Sequence, residues 1–156
     1  MAASVEFTVV HHFDHPSRVV WDELVDWKGH EAWIPMTTVE LGTEPQDQVG
    51  ATFVAFTGVW KLGLPDRMRV TQLDWDDATS SGTCEVEKLG PVLRGRAGFT
   101  VGPDPEGAPG TTRVEWIEDV TVKATPGFAA PLAAKVGAAG FKQGMKRLAR
   151  LLDSRR

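Results

Sequence analysis

The chain has no tyrosine and a single cysteine, Cys84. One cysteine forms neither an intramolecular disulfide nor a cysteine zinc cluster, and it suits a reducing, cytoplasmic setting. Without tyrosine there is no phenol acid or base of the kind used in ketone-reducing or steroid-isomerising sites. Long apolar runs are also missing. The longest uncharged apolar run in the tail, Phe128 to Ala134, is far too short to cross a bilayer, so integral membrane association is not expected. The opening MAASVEF carries an acid and no basic region, which reads against a signal peptide. No Gly-x-Gly-x-x-Gly follows a strand, no phosphate-cradling Gly-x-x-x-x-Gly-Lys occurs, and no Gly-x-Ser-x-Gly elbow is found. No cofactor is expected.

What is present is ordinary for a globular chain. Of 156 residues, 42% are apolar and 24% charged, enough for one domain with a real core. The net charge of −4 is unevenly shared. From Gly127 onward seven basic residues face Asp153 alone, a balance of +6, which leaves −10 for the rest. A basic tail can mark an anionic protein or membrane partner whose association would be salt-sensitive, or simply a solvated helical face. An acidic body reads against nucleic acid.

Apolar residues alternate from Val5 to Phe13, the pattern of a strand with one buried face. Asp14 or Ser17 is placed to cap a short helix over Pro16 to Asp26, with Val19, Val20, Leu24 and Trp27 inward. A second short helix spans Gly29 to Trp33 and ends at Pro35. Strands follow at Thr37–Leu41, Ala51–Trp60, Arg67–Trp75, Thr83–Leu89, Leu93–Val101 and Thr111–Lys123. A hairpin turn is expected around Gly63 and Pro65-Asp66, and Gly102 to Gly110 is the clearest loop.

The tail from Pro126 to Leu152 is long enough for one helix of six or seven turns. Leu132, Val136, Phe141, Met145, Leu148 and Leu152 suggest a single apolar face, with Lys142, Lys146 and Arg150 opposite. Gly137, Gly140 and Gly144 each cost about 1 kcal/mol relative to alanine in a helix interior. Close packing against another backbone would explain them, and so would a hollow left for a ligand. Short loops between consecutive strands imply an antiparallel meander closed by this helix, an α+β fold. An exposed sheet edge permits a monomer or a weak dimer.

Several local patterns resemble the START-like helix-grip (SRPBCC) superfamily, in its bacterial polyketide cyclase/dehydrase and lipid-transport branch. They are Asp14-His15-Pro16 leading into Val20-Trp21, Trp33-Ile34-Pro35, Pro65-Asp66-Arg67-Met68, and Gly110-Thr111-Thr112-Arg113-Val114-Glu115-Trp116. The likeness runs from about Val5 to Leu152. It implies a curved seven-stranded antiparallel sheet wrapped around the C-terminal helix, with a cavity between them. It also implies a hydrophobic small-molecule ligand such as a lipid or polyketide. The alternative activity is that of a cofactor-free cyclase, aromatase or dehydratase. Phe7, Trp33, Trp60, Met68, Phe99, Trp116, Leu132, Val136, Gly140 and Phe141 are the candidate ligand-binding residues on that cavity's wall.

The run His11-His12-Phe13-Asp14-His15 suggests metal, but neighbouring strand residues point to opposite faces and zinc needs three or four convergent ligands. No metal is expected. His11 shares the face of Val5, Phe7 and Val9, and Glu118 that of Val114, Trp116 and Val120. As a neutral imidazole and a desolvated carboxyl, they are the candidate catalytic acid/base pair. First and last strands are neighbours in a helix-grip sheet, which leaves convergence open. The alternatives are a core histidine satisfied by one backbone group, and a strand-edge carboxylate reaching solvent past a bulge.

Overall fold

Period-two patterning builds the sheet, and a long amphipathic segment covers it. The computed structural model describes residues 2–58 and 64–156. The order is β1 (Ala2–Phe13), α1 (Ser17–Leu24), a 3-10 turn (Lys28–Ala32), β2 (Thr37–Leu41), β3 (Thr52–Thr57), β4 (Leu64–Asp76), β5 (Ser81–Leu89), β6 (Leu93–Pro103) and β7 (Thr112–Lys123). A second 3-10 turn (Gly127–Ala129) leads into α2 (Ala130–Ser154). The strands pair antiparallel in the order β1-β7-β6-β5-β4-β3-β2. The fold is therefore α+β and of helix-grip type. The expected Trp60 end of a strand falls outside the described residues.

β1 buries Ala3, Val5, Val9 and Phe13, half-buries Phe7 and His11 on the same face, and exposes the alternate residues. β7 does the same with Val114, Trp116, Glu118 and Val120. Both sets look toward α2, which lies along β1. A β-bulge between Val70 and Gln72 shifts the parity of β4, so Val70, Leu73 and Trp75 share the covered side.

α2 is anchored at its C-terminal end. Met145, Leu148 and Leu152 are buried, and each such side chain contributes about 1.5–3 kcal/mol. His15 Nε2 meets Asp153 Oδ1 at 2.7 Å, Arg155 pairs with Glu23, and Arg156 lies 3.5 Å from Asp14. The same corner is tied to β7: Thr112 Oγ1 donates to the His15 carbonyl at 2.6 Å, and Ser17 Oγ lies 3.0 Å from Thr112 Oγ1.

The N-terminal half of α2 departs from expectation. Leu132 and Val136 do not face the core; they are 66% and 63% exposed. The reason is a step of five from Val136 to Phe141, which turns the helix about 140° and ends the apolar stripe. The inner face there is made of small residues, Ala134, Gly137 and Ala138, with Phe141. The glycines divide accordingly. A Cβ at Gly137 would sit 2.6 Å from the Phe7 ring, one at Gly144 would touch Trp33 at 3.4 Å, and one at Gly140 would meet nothing within 4 Å.

Smaller differences have local causes. Val19 is 42% exposed because α1 turns Val20, Trp21 and Leu24 inward instead. Neither Asp14 nor Ser17 caps α1; Pro16 occupies the N-cap, and the Ser17 hydroxyl is spent on Thr112. The expected turn at Pro65-Asp66 is strand, because β4 begins at Leu64 and Pro65 pairs opposite Phe56.

Leu148→Ala is expected to lower unfolding free energy by about 2–5 kcal/mol in urea denaturation, whereas Val136→Ala changes it by less than about 0.5 kcal/mol. Gly140→Ala, with room for its methyl and a helical backbone, is expected to add about 0.5–1 kcal/mol and raise Tm. Gly137→Ala loses that gain to displacement of the Phe7 ring.

Candidate functional site

The side chains of β3 to β7 that face α2 leave a cavity beneath Phe141 and the Lys28–Ala32 turn. Its walls are largely aromatic. Trp27 stacks on Phe53 with ring centroids 4.7 Å apart, and Phe99, Trp116 and Phe141 form a tilted stack at 5.2 and 4.7 Å. Met68, Cys84, Val86 and Ala97 fill the floor. Burial pushes the Cys84 thiol up to about 12, so it stays protonated and unreactive. The cavity volume is about 80 Å³. That is roughly half of the ~150 Å³ that holds one benzene, so even a single aromatic ring requires its walls to move.

Into this apolar space three ionisable side chains converge. Lys88 Nζ donates to Asp66 Oδ2 at 2.5 Å and lies 3.4 Å from Glu118 Oε2. Trp116 Nε1 donates to Glu118 Oε1 at 3.0 Å. Parity puts all three on the covered face: Asp66 with Met68 on β4, Lys88 with Cys84 and Val86 on β5, Glu118 with Trp116 on β7. Lys88 and Glu118 are two strands apart. Between them β6 offers only Gly95, opposite Lys88, and Ala97, opposite Glu118, so the lysine passes over β6 unobstructed. Gly95 has φ +135°, and a Cβ there would meet the Asp119 carbonyl oxygen at 2.2 Å; no other residue fits.

The electrostatics follow from burial. Desolvation raises the Glu118 carboxyl above its ordinary value, and Asp66 adds to the rise; Lys88 and the Trp116 indole oppose it without prevailing. Desolvation alone would lower Lys88, but Glu118 and Asp66 outweigh it and hold the ammonium charged. His30 also lines the cavity. Its Nε2 lies 2.7 Å from the Leu24 carbonyl and must donate to it, which leaves Nδ1 as an acceptor. Burial pushes His30 down to about 4, so the ring is neutral at physiological pH.

Of the residues expected here, Met68, Phe99, Trp116, Glu118 and Phe141 meet at the cavity. Phe7 and Trp33 stand behind its wall, against Phe141 and Trp116 respectively. Leu132, Val136 and Gly140 are on the outer side of α2, for the reason given above. Trp60 lies outside the described residues. Glu118 is 4% exposed in an unbroken ladder and does not reach solvent past a bulge.

His11 and Glu118 do not converge. His11 pairs opposite Val114 and Phe7 opposite Glu118, which puts the two about 13 Å apart along the strands. His11 instead packs edge-on to Phe13, half-buried, with its pKa lowered by desolvation, His12 and Lys146. His12 turns out to Asp104 at 2.6 Å, and His15 to Asp153, so the histidine run disperses. Sequence reasoning missed Lys88, Asp66 and His30. The first two had a signal: each is a charged residue in phase with the apolar side of its strand.

The fold is similar to that of a protein from Chromobacterium violaceum, at 15% identity over 94% of this chain and 95% of that one, TM-score 0.66. It is also similar to a START superfamily protein from Mycobacterium smegmatis (14% identity, 97% and 99% covered, TM-score 0.68) and to Ara h 8.0201 (14%, 97% and 99%, TM-score 0.62). Likeness at such identities carries the fold alone. No curated relative matches the chain. Residues 4–153 match the model of one family, polyketide cyclase / dehydrase and lipid transport, and with nearly its whole length inside that match the chain belongs to this family.

Proposed function

We propose that the protein binds a hydrophobic small molecule, a lipid, polyketide or similar compound, in the cavity between sheet and helix. The ligand's polar end lies against Lys88, Asp66 and Glu118. The observation that carries this reading is the placement of three ionisable groups on the wall of an otherwise apolar cavity. Buried charge seldom stabilises a fold better than apolar packing of the same volume would. A cluster kept in such a place is better accounted for by a ligand than by stability. The family match and the stacked aromatic walls support the same class of ligand. Phe141, the residue through which α2 contributes to the wall, is the side chain that must shift for a larger body to follow the polar end.

One observation favours a second reading, a cofactor-free cyclase, aromatase or dehydratase. Glu118 is a carboxyl whose pKa is raised by burial in a largely apolar cavity, the condition of a general acid. In that reading Glu118 donates the proton and Asp66, whose carboxylate is charge-paired with Lys88, is the nearby base. His11, about 13 Å along the sheet, takes no part.

Native mass spectrometry of the purified protein, followed by organic extraction, is expected to reveal a discrete hydrophobic mass. A clean apo mass, together with no rise in Tm from any member of a hydrophobic library, would sink the binding reading. Under the second reading the extracted compound is turned over and Glu118→Gln abolishes turnover; under the first the compound is bound unchanged and the variant alters only affinity. The same variant reports on the proton. With its folded pKa above 4.5, Glu118 contributes stability that is fully present below the unfolded value and lost as pH rises through the folded one. The unfolding free energy of wild type relative to Glu118→Gln is therefore expected to fall as pH rises above 4.5 in urea titrations.

A further inference from the structure

We infer that the ligand enters this cavity bearing a neutral hydroxyl, an alcohol or phenol, which donates a hydrogen bond to Asp66 Oδ1. The inference rests on the binding reading above and specifies what that site recognises.

Asp66 Oδ2 accepts from Lys88, but Oδ1 is buried and has no hydrogen-bond partner among the described residues. A charged acceptor left in that state is costly, and native proteins seldom leave one without a partner. Among the described residues the neighbouring donors are directed elsewhere. Lys88 directs N–H bonds at Asp66 Oδ2 and toward Glu118, and Trp116 Nε1 donates to Glu118. Thr37 Oγ1 donates to the Pro35 carbonyl at 3.0 Å and lies 3.4 Å from Thr57 Oγ1, whose hydroxyl donates to it in turn. His30 spends its hydrogen on Leu24 and leaves a lone pair at Nδ1. Among the described residues the cavity wall is thus rich in acceptors and short of free donors.

The charge balance selects the kind of donor. Lys88 lies 2.5 Å from Asp66 Oδ2 and 3.4 Å from Glu118 Oε2, so neither carboxyl is without a counter-charge. An ammonium brought among these apolar walls would lose its hydration with no matching charge. A hydroxyl loses far less. The stacked faces of Phe99, Trp116 and Phe141 beside the cluster favour a flat apolar body behind it.

The test is a comparison of near-isosteric probes on the whole protein: phenol, toluene and benzylamine, titrated by 1H–15N NMR. The Trp116 indole N–H, bonded to Glu118, is the local reporter. Phenol is expected to bind at least about tenfold tighter than toluene, although toluene is the more hydrophobic. In Asp66→Ala, where Lys88 keeps Glu118 as its counter-charge, the two are expected to come within about threefold. Toluene binding as well as phenol in wild type overturns the hydroxyl inference and leaves the cavity reading standing. Benzylamine binding tightest overturns it in favour of a cation site. A phenol preference that survives in Asp66→Ala removes the assignment to Asp66. Failure of all three probes to perturb the indole, at concentrations up to their solubility, overturns the hydroxyl inference, and the binding reading then rests on the extraction and the hydrophobic library. The wild-type comparison decides the main point even if the variant does not fold.

Discussion

The pairing of β1 with β7 is the constraint on which the rest depends. Twelve residue pairs, from Ala2 with Lys123 to Phe13 with Thr112, bind the beginning of the chain to its last strand. Such contacts between distant segments carry a loop-closure cost before any packing offsets it. Once made, they set where everything else lies. α2 leaves β7 through the Gly127–Ala129 turn and runs back along β1, so the register of that one ladder places the helix on the sheet. It also separates His11 from Glu118. Both face inward, but parity is satisfied by any even shift, and only the register chooses among them.

The helix that β1 supports is unequal along its length. Its C-terminal half is buried through Met145, Leu148 and Leu152 and held by a hydrogen bond between Asp153 and His15 and by ion pairs from Arg155 to Glu23 and from Arg156 to Asp14. Its N-terminal half presents small residues inward and large apolar ones outward. Phe141 stands at the boundary, stacked on Trp116 below and touching Phe7 at its side. Low contact density is where local opening free energies are smallest, so the end of the helix that would yield to a ligand is the N-terminal one.

The cluster of Lys88, Asp66 and Glu118 depends in turn on what β6 omits. Any side chain at Gly95 would collide with β7, and one larger than alanine at Ala97 would crowd the path between Lys88 and Glu118. Small residues on a central strand thus hold apart the walls that three longer, charged side chains then occupy. The outcome is a polar wall in an aromatic cavity, with a carboxyl whose pKa is raised by burial and a carboxylate oxygen awaiting a donor.

By itself the amino-acid sequence determined the strands, their inward faces, the antiparallel order and the closing helix. Alternation and turn chemistry are local, and each element's covered side can be counted from its own residues. That is how Glu118, Met68, Phe99 and Trp116 were placed on the right side of the right strands. Even the reversal at Leu132 and Val136 was legible, in the five-residue step to Phe141. The tertiary structure decided what no local pattern contains: that Lys88 reaches across β6 to Glu118, that Asp66 sits within a hydrogen bond of Lys88, and that His11 is left behind. These are matters of register between strands and of distance across a sheet. Parity tells which way a side chain points, and only pairing tells what it meets there.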